Sequence, residues 1–402
     1  MRIDATRIPR PAAPEGHVGH RSIARPGNRP LMNVLVTCAG RRSHTIAAFK
    51  EAVRGRGLVF ACDSSADAPA LQEADDAFLV PLLGAPGYLD ALLAICRERH
   101  VGLLVPTLEP ELPLLAEARS RFRDAGTVAL VSSAKVVATC YDKLETARFL
   151  ATLNLPVPAT WLSLEAANAA LARGELRLPL VVKPRWGVGS IGLAFAEDDE
   201  ELALCFRLAA KQVARSCFAE MSATDPERCV LIQECLGGVE FGLDIVNDLE
   251  GRHVCTFVKR KLRMRAGQTD RAVTVQDSRL EELGRTIGEG LGHVGVLDCD
   301  VLVTAAACHV IDLNPRIGGG YPFSHVAGAN VPAALVAWAA GAEPEPSCFD
   351  CVPGVAAARS DSFVVTRRVA DSAGAALLAA PDTRAGRSNG SRSGQPEASD
   401  ED

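Results

Sequence analysis

Much of what this 402-residue chain could be is excluded by what it lacks. No uninterrupted apolar run approaches the roughly 18 residues that a membrane span requires. No apolar stretch follows the basic start, as a secretory leader would need. Aromatic residues make up only 5%, and there is no excess of positive charge: the net charge is −6. A nucleic-acid partner is therefore not expected. Two phosphate-binding signatures are also missing. No Gly-Lys-Ser/Thr opens a helix, as a Walker A loop does. The first turn, Cys38 to Ser43, has Gly40 as its only glycine and lacks the G-x-G-x-x-G spacing. Asp63, at the end of the second strand, could hold a ribose, but without those glycines a nicotinamide oxidoreductase has little support.

What is present is globular material, 48% apolar and 23% charged. The length suits two or three structural units, and bulk disorder, collagen and coiled coil are excluded. The 13 cysteines sit mostly alone in apolar stretches (Cys38, Cys62, Cys96, Cys140, Cys255, Cys308). They read as buried free thiols of a reducing compartment, so a cytoplasmic location is expected. Cys348 and Cys351 form a lone C-x-x-C with no further zinc ligands at suitable spacing.

Residues 1–31, rich in arginine and proline, read as a disordered tail. Met32 opens the first folded pattern, which makes it an alternative start of translation. The C-terminal extension, 346–402, turns to Ala, Gly, Ser, Arg and Asp and reads as disordered from about 370.

Between these ends, residues 32–135 alternate strands (near 34–37, 58–63, 77–80, 102–105 and 127–131) with helices (43–55, 87–99 and 111–124). Such alternation predicts a doubly wound parallel sheet that binds ligands at its carboxyl edge. Arg41 and Arg42, in the first turn, are either solvated charges or face an anionic ligand there. Glu109 and Glu111, beyond the fourth strand, either cap a helix or recognise an incoming amine.

The middle of the chain carries the chemistry. Asp142 is a plausible cap for a helix that opens with Lys143. A cation in a first turn opposes the helix dipole, so an anionic partner is expected. The strand Leu180–Lys183 leads into Pro184-Arg185-Trp186-Gly187-Val188-Gly189-Ser190. This loop is either a hairpin turn or a clamp whose backbone N–H groups and Lys183 close on phosphate. Two apolar strands meet at Gly237-Gly238, with Glu234 and Glu240 at their ends. They form either an edge hairpin or a hinge that contacts adenine and ribose. Further on, Asp298 and Asp300 share one strand face, as do Asp312 and Asn314. If these strands are antiparallel neighbours, Asp300, Asp312 and Asn314 converge as hard oxygen ligands suited to Mg²⁺. Arg316 follows closely enough to reach a transferring phosphoryl group, and Gly318-Gly319-Gly320 allow a tight turn. The basic run 257–268 is either a solvated face or a grip on phosphate or a substrate carboxylate, with Lys259 and Arg263 the preferred members. His325 reads as a structural histidine or a substrate contact.

Taken in order, Asp142-Lys143, Lys183 to Ser190, Gln233-Glu234-Cys235-Leu236 with Glu240, and Asp312-Leu313-Asn314-Pro315-Arg316 resemble the ATP-grasp superfamily. The likeness is to single-chain proteins related to the carbamoyl-phosphate synthetase large subunit and to the pyrrolysine-pathway ligase. It implies an α/β protein: a parallel-sheet pre-ATP-grasp domain (32–135), then a two-lobed α+β ATP-grasp domain (136–345) with a small glycine-loop lobe near 155–235. It places Lys143, Lys183, Gly187, Gly189 and Ser190 on ATP phosphates, Glu234, Cys235 and Leu236 on adenine, and Glu240 on ribose. Asp300, Asp312 and Asn314 would hold one or two Mg²⁺ ions, with Mn²⁺ an acceptable substitute. Arg316, Lys259 and Arg263 would act on the transferring group. The implied activity is ATP-dependent ligation of a carboxylate to an amine through an acyl phosphate, with amino acids or short peptides as substrates and a homodimer as a common assembly. The chain departs from the pattern: Asp312 stands where the family usually has Glu, and Asp300 where some relatives have Gln. A catalytically inactive ATP-binding regulatory or scaffold module is the alternative.

Overall fold

The computed structural model describes residues 32–187, 192–216 and 218–366. The first unit follows the alternation in the sequence. It runs β1 (Asn33–Thr37), α1 (Ser43–Val53), β2 (Val59–Asp63), β3 (Asp76–Leu79), α2 (Tyr88–Glu98), β4 (Val101–Pro106), α3 (Leu112–Glu117), α4 (Arg119–Asp124) and β5 (Val128–Ala129). The strands form a five-stranded sheet in the order β3-β2-β1-β4-β5, and the paired strands are parallel. Successive side chains on a strand point to opposite faces. Leu35, Phe60, Cys62 and Leu104 therefore pack under α2 to α4, while Val34, Val36, Val59 and Leu103 pack under α1.

Two linking helices, α5 (Ala134–Tyr141) and α6 (Lys143–Thr152), lead into a small lobe. That lobe holds β6 (Thr160–Trp161), α7 (Leu164–Ala172), β7 (Leu180–Pro184), β8 (Ala194–Ala196), α8 (Asp199–Val213), α9 (Ala219–Thr224) and β9 (Val230–Glu234). Its sheet has the order β6-β9-β7-β8. Ala167, Ala170, Leu202, Ala209 and Val213 from α7 and α8 close over its inner face.

The large lobe contains β10 (Val239–Asn247), β11 (His253–Arg265), β12 (Gln268–Val275), α10 (Ser278–Leu291), β13 (Gly295–Val303) and β14 (Cys308–Asn314). Then come α11 (Tyr321–Val326), α12 (Val331–Ala339) and β15 (Ala356–Ala358). Its antiparallel sheet has the order β14-β13-β10-β11-β12-β15. One face is apolar: Leu243, Ile245, Leu297, Cys299, Val301 and Leu313 pack against Leu280, Leu283 and Ile287 of α10. The other face is charged and positions the site. The basic run 257–268 lies mostly on β11, and Arg260 and residues 262–268 are exposed, so much of it is a solvated face. Helix α12 turns back onto the first unit, where Val331, Leu335 and Val336 join the core around Val34 and Phe49.

No disulfide joins any of the described cysteines, Cys348 and Cys351 included. No described helix is long and apolar enough to cross a membrane.

Candidate active site

The cationic side of the site is built from α6 and β7. The Asp142 carboxylate caps α6 by accepting from the backbone N–H groups of Leu144 (2.9 Å) and Glu145 (3.4 Å). It also receives the Arg185 guanidinium, with Nε at 2.8 Å and Nη2 at 2.6 Å. Arg185 donates to Asp225 at 2.8 Å and lies 4.4 Å over the Trp186 ring. This anchor fixes the strand end beside the helix start, where the Lys143 N–H donates to the Arg185 carbonyl at 3.2 Å. The Lys143 ammonium donates to the Gly187 carbonyl at 3.3 Å and pairs with Asp312 at 3.0 Å. Asp312 is the anionic partner that a cation in a first helical turn requires. Lys183 is buried on β7. Burial pushes its pKa down to about 8, Lys143 pushes the same way, and Asp312 opposes both. Burial alone would raise Asp312, but Lys143 and Lys183 hold it below the usual carboxylate range.

The anionic side is the charged face of the large sheet. Register decides which side chains meet. Gly242 pairs with Lys259 on β11 and with Asp300 on β13, and Asp300 pairs with Asp312 on β14. The next row on the same face sets Asp244 opposite Asp298, and Asp298 opposite Asn314. The strands are antiparallel, and Asp300, Asp312 and Asn314 share one face. Asn314 donates to Asp312 at 3.2 Å. Lys261 bridges Glu240 (2.7 Å) and Asp300 (2.6 Å). Burial lifts Asp300 to about 6, with Lys261 opposing.

Arg316 is buried and paired with Glu109, whose Oε1 accepts from Nε at 2.7 Å, and its Nη1 lies 3.4 Å from Asp298. Burial would lower its pKa, but Glu109 and Asp298 hold it above the usual guanidinium range. A cavity beside this pair is lined by Glu109, Lys143, Gly187, Leu313 and Asn314.

Two expectations need correction. Lys259 has no exposed surface; it sits under Gly320 and pairs with Asp244 at 2.6 Å, at an angle poor for a hydrogen bond. Arg263 is 60% exposed and lies 3.8 Å from Asp270. A shift in the β11–β12 register between Lys261 and Arg263 breaks the alternation that would have kept Arg263 on the charged face. The residue of this run that meets the acids is Lys261, which strict period-two reading from Lys259 would have found. Glu109 and Glu111 are not free for an amine either: Glu109 holds Arg316, and Glu111 accepts from Thr37 (2.8 Å) and Tyr88 (2.6 Å). His325 is held by Tyr321 and the Ala329 carbonyl.

Of the residues expected on ATP, Lys143, Lys183 and Gly187 come together. Gly189 and Ser190 lie outside the described residues. Glu234 ends β9, and its carboxylate accepts from the Ala159 N–H at 2.9 Å. Cys235 and Leu236 follow in the linker to β10, which begins at Val239.

Residues 140–320 match the family model of the ATP-grasp domain. The chain carries an ATP-grasp domain. Residues 34–131, ahead of it, match the model of the PylC-like N-terminal domain. Among curated proteins, an uncharacterized protein y4rH of Sinorhizobium fredii is 30% identical over 45% of the chain and 37% of its own length. The carbamoyl phosphate synthase large chain of Methanoculleus marisnigri is 23% identical over 60% of the chain and 22% of its own length. The chain thus spans well under half of these relatives. Among solved structures, an L-amino acid ligase from Bacillus licheniformis aligns over 81% of the chain and 79% of its own, with a TM-score of 0.62 and 18% identity. At that identity the likeness is one of fold.

ATP-grasp enzymes use ATP and Mg²⁺. Among the described residues, no group of three His, Cys, Asp or Glu is placed to hold a metal on its own. Asp312 and Asn314 nevertheless fit Mg²⁺, which takes one or two protein oxygens and completes its shell from phosphate and water. Asp312 stays ionised here, as a ligand must. Asp300, opposite Asp312 in register, is held by Lys261.

Proposed function

We propose that this chain is an ATP- and Mg²⁺-dependent ligase that joins a carboxylate to an amine through an acyl phosphate, releasing ADP and phosphate. The observation that carries this reading is the pairing of Lys143 with Asp312 beside Asn314, with the buried Lys183 of a separate element near enough for its charge to act on Asp312. Two ammonium groups and two hard oxygens at one point suit a polyphosphate. Mg²⁺ held by Asp312 and Asn314, with Asp300 near, would neutralise phosphate charge at one or two positions. Lys183 acts from a dry strand, where its attraction to phosphate exceeds that in water. Gly187, whose carbonyl accepts from the Lys143 ammonium, stands beside this cluster. Glu234, Cys235 and Leu236 present hinge backbone to adenine, and Glu240 faces ribose once Lys261 shares it. Arg316, fixed by Glu109 and Asp298, orients the transferring group.

In the first step a carboxylate oxygen attacks the γ-phosphorus and the bond to ADP breaks. In the second an amine attacks the acyl carbon, phosphate leaves, and the amine proton passes to solvent. Positioning and charge carry the catalysis, and no protein nucleophile is used. The carbamoyl phosphate synthase relative and the L-amino acid ligase fold support this class. They favour small carboxylates and amines, amino acids or short peptides included, as substrates. A homodimer agrees with the class.

ADP release by the full chain with Mg²⁺-ATP, screened against pooled amino acids and small carboxylates, tests the reading. Release should depend on a pool and fall at least about 100-fold in Lys183→Ala and Asp312→Ala. The second reading, an ATP-binding module without turnover, draws on Asp at both 300 and 312 and on Lys261 occupying Glu240 and Asp300. It expects no release with any pool and ADP binding unchanged by Asp312→Ala.

A further inference from the structure

The three glycines after Arg316 form a hydrogen-bonded turn without left-handed backbone, the Tyr321 N–H donating to the Gly318 carbonyl at 3.2 Å. Each makes room for a charged side chain. A Cβ at Gly318 would overlap the Asp298 carboxylate, and one at Gly320 would stand 2.9 Å from Lys259 Cε. A Cβ at Gly319 would lie 3.3 Å from Arg42 Nη1 and 3.7 Å from Arg359 Nη2. Two guanidinium groups therefore converge over one glycine. They come from different parts of the chain: Arg42 is the N-cap residue of α1, and Arg359 follows β15.

The neighbouring arginines have carboxylate partners. Arg316 has Glu109 and Asp298, and Arg265 has Asp270 and Asp361. Arg41, though exposed, lies 3.9 Å from Asp361. Among the described residues the converging pair has none. Among the described residues, the Arg359 guanidinium donates to the Gln268 side chain (2.6 Å) and the Gly319 carbonyl (2.8 Å). The Arg42 guanidinium makes no hydrogen bond or ion pair among the described residues. His44 stands by with Nε2 buried and unpartnered.

Among the described residues, nearby carboxylates only partly offset this charge. Burial, then Arg316, lowers the Arg42 pKa, Arg359 adds to this, and Glu109 and Asp298 oppose. Burial, then Arg265, lowers that of Arg359, with Arg41 adding and Asp270 and Asp361 opposing. His44 falls to about 4 through burial and the repulsion of Arg42, Arg359 and His325. Partly buried cations without a full counter-charge are costly, and a planar oxyanion relieves them with forked, charge-assisted hydrogen bonds. The place is also where a doubly wound sheet binds ligands, at its carboxyl edge.

We propose that Arg42 and Arg359 hold a carboxylate of the acid substrate other than the one that is phosphorylated. The inference rests on the ligase reading above. The phosphorylated carboxylate belongs near Lys143, Lys183 and Asp312, whereas the charges that act on Arg42 and Arg359 include Arg316, Glu109, Asp298, Arg265, Asp270 and Asp361 and none of that group. The acid substrate is therefore one with two carboxylates, a dicarboxylic acid or an acidic amino acid. His44, neutral at pH 7, adds an Nε2 donor.

Isothermal titration of the full chain, saturated with Mg²⁺-ADP, tests this. The probes are succinate, glutarate, adipate, L-aspartate, L-glutamate and L-2-aminoadipate, each beside its congener with one carboxyl converted to the amide. At least one diacid should bind the wild type about 10- to 100-fold more tightly than its amide congener. Arg42→Gln and Arg359→Gln should each erase that preference while ADP affinity stays within about 2-fold and the melting temperature reports an intact fold. Arg42→Lys should restore part of the preference, which a purely structural role would not require. If no diacid is preferred, or the preference survives both substitutions, the inference falls and the ligase reading stands. If ADP does not bind but the arginine-dependent preference is seen, the ligase reading falls and the anion site stands.

Discussion

Glu111 has no exposed surface, yet its carboxylate keeps two hydroxyl donors, Tyr88 and Thr37. Burial outweighs these and raises its pKa to about 7 from an ordinary 4.5. The folded state thus binds this proton more tightly than the unfolded chain. Below pH ~4.5 both states are protonated and the shift has no effect. As pH rises toward 7 the unfolded chain ionises freely while the folded chain resists, so stability is lost, by roughly 3 kcal/mol in all. Glu111→Gln keeps a neutral group there. Denaturant unfolding of both proteins from pH 4 to 8 should show the variant gaining on the wild type by that order; a constant difference would mean that Glu111 ionises normally in the fold. Nothing in Thr107-Leu108-Glu109-Pro110-Glu111 distinguishes the two acids. Their partners do so, Arg316 for Glu109 and two hydroxyls for Glu111, and those partners are set by packing that a local reading does not contain.

At the scale of elements, the strands and most helices of the first unit were legible because periodicity is a local property. The facing of Asp300, Asp312 and Asn314 followed from period two plus one assumption, that β13 and β14 are antiparallel neighbours, and they are. Arg263 was misread because a register shift in β11 is not a periodic signal. Helix α10 carries a further feature: small residues on its inner face let it sit close to the sheet. A Cβ at Gly284 would overlap the Thr256 side chain on β11, and one at Gly288 would lie 2.9 Å from Asn247 Oδ1. The helix cannot keep its seat if that face gains bulk, because interiors are close-packed. Gly284→Ala improves helix propensity by about 1 kcal/mol, but overpacking of about 1–3 kcal/mol should outweigh it. The expected outcome is a net loss of stability in urea unfolding, partly recovered when Thr256→Ala is added. A stabilised Gly284→Ala would show that α10 can shift freely.

At the scale of the whole molecule, the two units share one core. Val246, Phe257, Val296 and Ile317 of the large lobe pack in the same cluster as Val34, Phe49 and Leu103 of the parallel sheet. The sequence order of the elements announced both units but not this joint, because its contacts are far apart in the chain. Glu109 and Arg316, which pair across it, are separated by 207 residues. Their side chains are only 9% and 7% exposed, so water cannot replace either partner. Removing the acid leaves a buried guanidinium with Asp298 alone at 3.4 Å, and such a loss typically costs about 3–5 kcal/mol. Glu109→Leu should therefore destabilise the chain by about 3 kcal/mol. Replacing both charges, as Glu109→Leu with Arg316→Met, should cost less than the single change, since an apolar pair needs no desolvated partner. Equilibrium unfolding of wild type, both singles and the double gives the coupling directly. A double no better than Glu109→Leu would mean that the pair is not what joins the parallel sheet to the large lobe, and that the shared core alone sets where Arg316 is held.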